Sequence, residues 1–270
     1  MSYSDLFEKY LFSSLERAIE KNRAAKPFSK KQNTDEILML KFIKHVDAMK
    51  ETLDNSGGIE GILEEQKEND NLLLANKKIE NILKGKYFQN IMGEQVQLLE
   101  GFNKSILLKN ASSGQQESIR ILQDLFLIIA DGRPVMRIFE EPEAHLFPIA
   151  QKEIIELMAL TLNSTKDSSI IITTHSPYIL SAINNLLFAG QVASKQPNKR
   201  EATQAVVNEK FWLQPEDVNA YSLGNSYTPN RKYFEDIFDK ETGIIDQNYL
   251  DTVSELLGEE FYQLIEINNQ

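Results

Sequence analysis

The chain has 270 residues, 41% of them apolar, and no cysteine. That length holds one large domain or two modest ones with a sizeable core, and the lack of thiols excludes disulfides and thiolate metal sites. The net charge of −11 is uneven: 15 basic and 17 acidic side chains fall in residues 1–100, 13 and 13 in 101–234, and 1 and 10 in 235–270, a C-terminal acidity that argues against a nucleic-acid-binding surface.

No apolar run reaches the roughly 20 residues that a membrane-spanning helix needs. The start, MSYSDLFEKY, lacks the basic and apolar regions of a signal peptide, and the absence of cysteine fits a reducing cytoplasm, the expected setting. Residues 4–24 carry apolar side chains at helical spacing, Leu6, Tyr10, Leu11, Leu15, Ala18 and Ile19. After a polar break over Lys26–Thr34, Thr34 is expected to cap a helix running to about Leu53, with Ile37, Leu40, Ile43, Val46 and Met49 along one side. Asn55-Ser56-Gly57-Gly58 predicts a turn, and residues 59–84 predict one longer, highly charged helix. This N-terminal block is expected to be a helical arm or a plain helical subdomain.

From Lys86 the period changes. KYFQNIM, EQVQLLE and KSILLK alternate in character and are separated by Gly93 and Gly101-Phe102-Asn103, which predicts an antiparallel meander. Asn110–Glu117 then leads into a helix with Ile119, Leu122, Leu125, Phe126 and Ile129 inward, stopped at Asp131-Gly132. Two short apolar runs follow, PVMRIF and SSIIITT, separated by about a helix's length of chain. They predict two parallel strands joined by a crossover helix. Gly190 to Asn208 is expected to be loop. VNAYSL and YFEDIF suggest further strands, and Asp246 should open a last helix with Leu250, Val253, Leu257, Phe261 and Leu264 inward.

Both strands of the parallel pair end in chemistry-bearing residues. The first ends in Glu140-Glu141, the second in His175-Ser176-Pro177. Ligands of an open α/β sheet sit beyond the carboxyl ends of the strands, which puts Glu140, Glu141 and His175 on one rim. Adjacent strand residues point to opposite sides. One glutamate could therefore hold Mg²⁺, a hard cation that prefers oxygen, while the other orients and polarises water. The plain alternative is a pair of solvated carboxylates, although Pro142 bars regular continuation of the strand. His175 could hydrogen-bond a phosphoryl oxygen or be a strand-end histidine without a ligand. Ser113-Gly114 opens a helix, where free N–H groups and the dipole favour phosphate; the alternative is an ordinary cap with Ser113 as the capping residue. Glu143 and His145, with Glu140 and Glu141, could also be read as the ligands of a metal-dependent hydrolase, though their spacing matches no zinc motif.

Taken in order, SSGQQE, a helix, a strand, EEPEAHLFP, a helix, a strand and TTHSP resemble the second half of an ABC-type ATPase head, in the AAA-labelled, overcoming-lysogenization-defect-like and DNA-repair branches of that superfamily. The resemblance is strong over residues 86–190 and loose elsewhere. It implies an α/β fold: an incomplete P-loop NTPase head with a mostly parallel sheet, an antiparallel meander, a helical insert or lever arm over residues 1–85 and the C-terminal lobe of the head over 86–270. It aligns Ser112–Gln116 with the signature motif, with Ser113, Gly114 and Gln116 contacting a nucleotide held by another head. Ile138–Glu143 aligns with Walker B, with Glu140 at the Mg²⁺ position and Glu141 at the catalytic position. His175 aligns with the switch histidine, and Ala144–Pro148 with the D-loop. ATP and Mg²⁺ are the implied ligands. A dimer of heads is the implied assembly, with a nuclease effector or DNA as further candidate partners and no membrane. Two departures stand out. Glu140 replaces the commoner Asp, and no GxxxxGK[S/T] loop is present to cradle the phosphates. In the family that loop precedes the helical insert, so a Walker A lobe supplied from elsewhere is expected, and the isolated chain should bind ATP weakly or not at all. The resemblance also allows a role in DNA repair or anti-phage defence. A catalytically silent scaffold or dimerisation module is the alternative.

Overall fold

A computed structural model describes residues 34–99, 104–223 and 234–246, together with 259–262, 264, 265 and 267 near the end. The expected helix over residues 4–24 lies outside these.

Helix α1 spans Thr34–Asn55 and buries Met49 and Leu53. Gly57 and Gly58 follow with φ of 74° and 82°, a conformation that glycine adopts without steric cost. The single helix expected over residues 59–84 is two. α2 spans Gly58–Glu65 and α3 spans Asp70–Leu83. The break comes at Asn69, whose side chain accepts from the N–H groups of Asn71 and Leu72 and so starts a new helix.

The meander is as expected. β1 (Gly85–Asn90), β2 (Gly93–Leu98) and β3 (Ser105–Leu107) pair antiparallel in chain order. Helix α4, Ser113–Asp131, ends at Gly132 with φ 65°, the left-handed closure that glycine supplies. Its predicted inward residues Ile119, Leu122, Leu125, Phe126 and Ile129 are all buried.

β4 (Met136–Glu140) and β5 (Ser169–Thr173) form the parallel pair, joined by α5 over Pro148–Ser164. α5 is covered on nearly every side: Ile154, Ile155, Leu157, Met158, Ala159 and Leu160 are all buried, because α3, α4 and α6 pack around it. The core is continuous. Leu72, Ile79 and Leu83 of α3 belong to the same apolar cluster as Leu122, Phe126, Ile154 and Leu157.

α6 spans Pro177–Lys195 and α7 spans Arg200–Val206, where loop was expected from Gly190 on. Gly190 sits inside α6 because its missing side chain lets the Leu213 carbonyl approach; a Cβ there would lie 2.2 Å from that oxygen. The late strands shrink to two-residue pairs, β6 (Tyr221–Ser222) with β7 (Glu235–Asp236) and β8 (Phe238–Asp239) with β9 (Ile244–Ile245). Asp246 follows β9 and is not helical. Of the residues expected inward on a last helix, Leu250, Val253 and Leu257 lie outside the described residues, and Phe261 and Leu264 are helical but exposed.

The β4–β5 pair has one open face. Met136 and Ile138 are 62% and 61% exposed and Ile171 is 46% exposed, and Ile138 stands opposite Ile171 in the register. The other face carries buried Phe139 and half-buried Ile170 and Ile172. Among the described residues no third strand joins either edge.

Candidate functional site

The parallel register sets Glu140 opposite Thr173, the last residues of the two strands. Both strands therefore deliver their following loops to one rim. Glu140 is exposed there. Directly after it, Glu141 turns into the left-handed region at φ 45°, a conformation that costs a non-glycine residue on the order of 1 kcal/mol. Its N–H donates to the Thr173 carbonyl at 2.9 Å and lies 3.3 Å from the Thr173 hydroxyl, so the partner strand holds the turn in place. The turn aims the Glu141 carboxylate at the His175 ring, with Oε1 3.0 Å from Nε2. His175 is 84% exposed and Glu141 54%, so the pair faces open space.

The rest of EEPEAHL is two successive tight turns. The Ala144 N–H donates to the Glu141 carbonyl and the Leu146 N–H to the Glu143 carbonyl, both at 2.9 Å. Between them His145 adopts φ 58°, and its ring lies 3.7 Å from the Glu117 carboxylate. Glu143 is buried. Its Oε1 accepts from the Thr174 hydroxyl and, at 3.1 Å, from the His175 N–H.

The start of α4 abuts this loop. Gly114 is buried, and a Cβ on it would lie 2.5 Å from the His145 carbonyl oxygen. The cap is Ser112, not Ser113. The Ser112 hydroxyl accepts from the Gln115 N–H while the Gln115 side chain accepts from the Ser112 N–H, a reciprocal capping box. Ser113 is thereby the first helical residue and exposed. The Gln116 amide donates to the carbonyls of Ala111 at 2.7 Å and Lys109 at 3.3 Å, which fastens the turn before the helix.

The structure thus brings Glu140, Glu141 and His175 together, and sets Ser113, Gly114 and Gln116 on a helix start that touches the same loop from behind. Side chains unremarkable in the sequence complete the frame. Gln151 donates to the Leu146 carbonyl at 2.9 Å and accepts from the Ser176 hydroxyl, which itself accepts from the Tyr178 N–H to cap α6. Neither Gln151 nor Thr174 belongs to a spacing pattern that could have marked it in advance.

A second polar cluster ties the meander to α4. Arg120 reaches both carboxylate oxygens of Glu94, at 2.6 and 2.7 Å. The Tyr87 hydroxyl donates to Glu94 at 2.6 Å, and Lys50 of α1 lies 3.2 Å away. Burial alone would push the Glu94 carboxyl up, but Arg120, Tyr87 and Lys50 outweigh it and bring it down to about 2. Burial, with Glu94 beside it, pushes the Tyr87 phenol up.

The family model for the AAA ATPase domain matches residues 1–180 of this chain. The chain belongs to the AAA ATPase domain family. ATP binding and hydrolysis, generally with Mg²⁺, is the chemistry this membership supports. No curated protein and no solved structure matches the chain. Glu140 fits the ion: Mg²⁺ is usually held by one or two carboxylates together with substrate phosphates and waters, and an exposed carboxylate at the rim offers such a donor. Among the described residues no cluster of three or more acidic or histidine side chains is poised to hold a metal by itself. Glu143 is turned inward and His145 towards Glu117, so the four-ligand metal site read as an alternative from the sequence is not assembled. No helix among the described residues is long and apolar enough to cross a membrane.

Proposed function

We propose that this chain is the C-terminal half of an ABC-type ATPase head, whose phosphate-cradling Walker A lobe lies outside these 270 residues. One observation carries the reading. The rim holds the carboxylates and histidine needed to act on a γ-phosphate, but nothing to balance the charge of the nucleotide. Residues 138–151 and 169–194 contain no Lys or Arg, and neither do residues 110–119. Polyphosphate sites use backbone N–H groups, a lysine and Mg²⁺ together, so a cationic lobe is required. The open face at Met136, Ile138 and Ile171 supports the same conclusion, since parallel sheets are normally covered on both faces. We assign that face, and the strand edge left unpaired among the described residues, to the Walker A lobe, next to the rim it would complete.

In this reading Glu141 orients and polarises the attacking water, and its turn at φ 45° fixes the direction of approach. His175 hydrogen-bonds a γ-phosphoryl oxygen, and its contact with Glu141 couples detection of the phosphate to the base. Mg²⁺, when bound, would be held by Glu140 and phosphate oxygens and would neutralise charge building on the phosphates. Ser113 and Gly114 present the start of α4 to a nucleotide held by a second head, and Gln116 stiffens the turn that presents them. Hydrolysis then opens the head dimer, and α1–α3, which share the head's core, carry the motion outward. A role in DNA repair or anti-phage defence, beside a separate nuclease, is consistent with this machinery. The test is phosphate release from the chain together with a polypeptide that supplies a Walker A lobe, with Glu141→Gln as control. Loss of turnover in that variant is the expected result, and turnover by the chain alone at a normal rate would refute the reading.

A further inference from the structure

We infer that Glu143 is the positioning residue of the His175 turn, resting on the reading of His175 as the γ-phosphate sensor. Two carboxylates of one loop grip the same residue. Glu141 meets the His175 ring, while Glu143 accepts from the His175 N–H at 3.1 Å. Glu143 also accepts from the Thr174 hydroxyl, and that hydroxyl in turn accepts from the Ser176 N–H at 3.0 Å. The backbone of residues 174–176 therefore hangs from a single carboxylate oxygen. The second oxygen, Oε2, is fully buried with no partner.

That arrangement is costly unless it serves something. A carboxylate removed from water with half its capacity unused is less favourable than an apolar side chain of the same volume. A leucine would fill the space, but it could not accept an N–H. What the carboxylate supplies is a fixed link between the β4 loop and the β5 loop, so that the Glu141 base and the His175 ring move as one unit. Pro142, between the two glutamates, restricts the loop further. The effect on catalysis would come through His175, since misplacing a reacting group by about 1 Å can cost on the order of 100-fold in rate.

The test has two arms. In the full chain without nucleotide, amide exchange at His175 is followed by NMR in wild type and in Glu143→Ala, Glu143→Gln, Glu143→Leu and Thr174→Val, with β5 amides as internal reference. Glu143→Ala and Glu143→Leu should speed exchange at His175 by about 10-fold or more while the β5 amides stay protected, and Glu143→Gln, which keeps an acceptor, should stay near wild type. Should Glu143→Ala fail to fold, Thr174→Val must still loosen the Ser176 amide. In the second arm, ATP turnover is measured on the chain together with a polypeptide that supplies a Walker A lobe. Glu143→Leu should lower kcat with little change in KM, Glu143→Gln should restore most of it, and Glu143→Leu should add nothing to His175→Ala. Unchanged exchange at His175 in a folded Glu143→Leu variant would overturn the inference, as would additivity with His175→Ala. Because the first arm needs no ATP, it decides the role of Glu143 even if the ATPase reading fails.

Discussion

Replacing Gly114 with alanine sets two well-known effects against each other. In an open helix the change is favourable, by about 1 kcal/mol. Here the new methyl would stand 2.5 Å from the His145 carbonyl oxygen, 3.2 Å from its carbon and 3.3 Å from Leu146 Cδ2. The oxygen cannot easily retreat, because its residue lies in a left-handed turn pinned by the Leu146 N–H to Glu143 bond. Forcing a methyl into a contact typically costs about 1–3 kcal/mol, and a 2.5 Å approach to a pinned carbonyl belongs in the upper part of that range, about 2–3 kcal/mol, so the clash should win and leave a net loss of about 1–2 kcal/mol. Urea unfolding followed by far-UV circular dichroism and by the single tryptophan, buried Trp212, would show a lower midpoint with unchanged slope. A Gly114→Ala chain as stable as wild type, or more stable, would mean that the helix start does not rest on the His145 loop.

Lys78→Met should destabilise by about 1.5–3 kcal/mol, because it leaves buried Glu156 with Lys152 as its remaining cation and Glu153 with the Asn81 amide; chemical denaturation reads this directly, and a neutral result would mean that Lys152 and solvent already compensate the cluster. The Glu94–Arg120 clamp should be pH-dependent in a defined direction. With the Glu94 carboxyl at about 2 against an ordinary 4.5, its contribution is complete above about pH 4.5 and is lost as pH falls towards 2. Partial solvent exposure reduces the formal value to about 2 kcal/mol, so the stability gap between wild type and Glu94→Gln should be about that at pH 6 and should shrink steadily below pH 4.5. Asp124→Ala, which removes the bonds to Arg137 at 2.7 and 3.1 Å and to His45 at 2.8 Å, should loosen α1 from α4 and raise amide exchange in α1.

How much of this was legible beforehand varies by element. The β4–α5–β5 unit was, because a parallel crossover needs two short apolar runs a helix apart, and the polar residues at their ends mark the rim. The meander was too, through its alternation and glycine turns. What failed to show were features decided by a single side chain or by tertiary packing. Asn69 splits one expected helix in two by capping, an event that looks like one more polar residue in a charged run. Gly190 reads as a helix breaker yet stays in α6, because the Leu213 carbonyl occupies the space a side chain would take. PVMRIF is mostly apolar, yet of the β4 residues only Phe139, on the inner face, is buried. The pair Glu141 and His175 can be read from their strand ends, whereas the left-handed turn that aims one at the other depends on the hydrogen bond that the Glu141 N–H donates to Thr173, which no spacing reveals. Of the two readings of Ser113, phosphate contact or cap, the cap falls to Ser112 instead, because Gln115 pairs reciprocally with Ser112 and leaves Ser113 as the first helical residue.

The most direct test of the account is phosphate release from ATP and Mg²⁺ by the purified chain, alone and together with a polypeptide that supplies a Walker A lobe. The chain alone should show little or no turnover, the assembled pair should hydrolyse ATP, and Glu141→Gln in the pair should abolish it. Full turnover by the chain alone, or an assembled Glu141→Gln pair as active as wild type, would contradict the assignment of this rim.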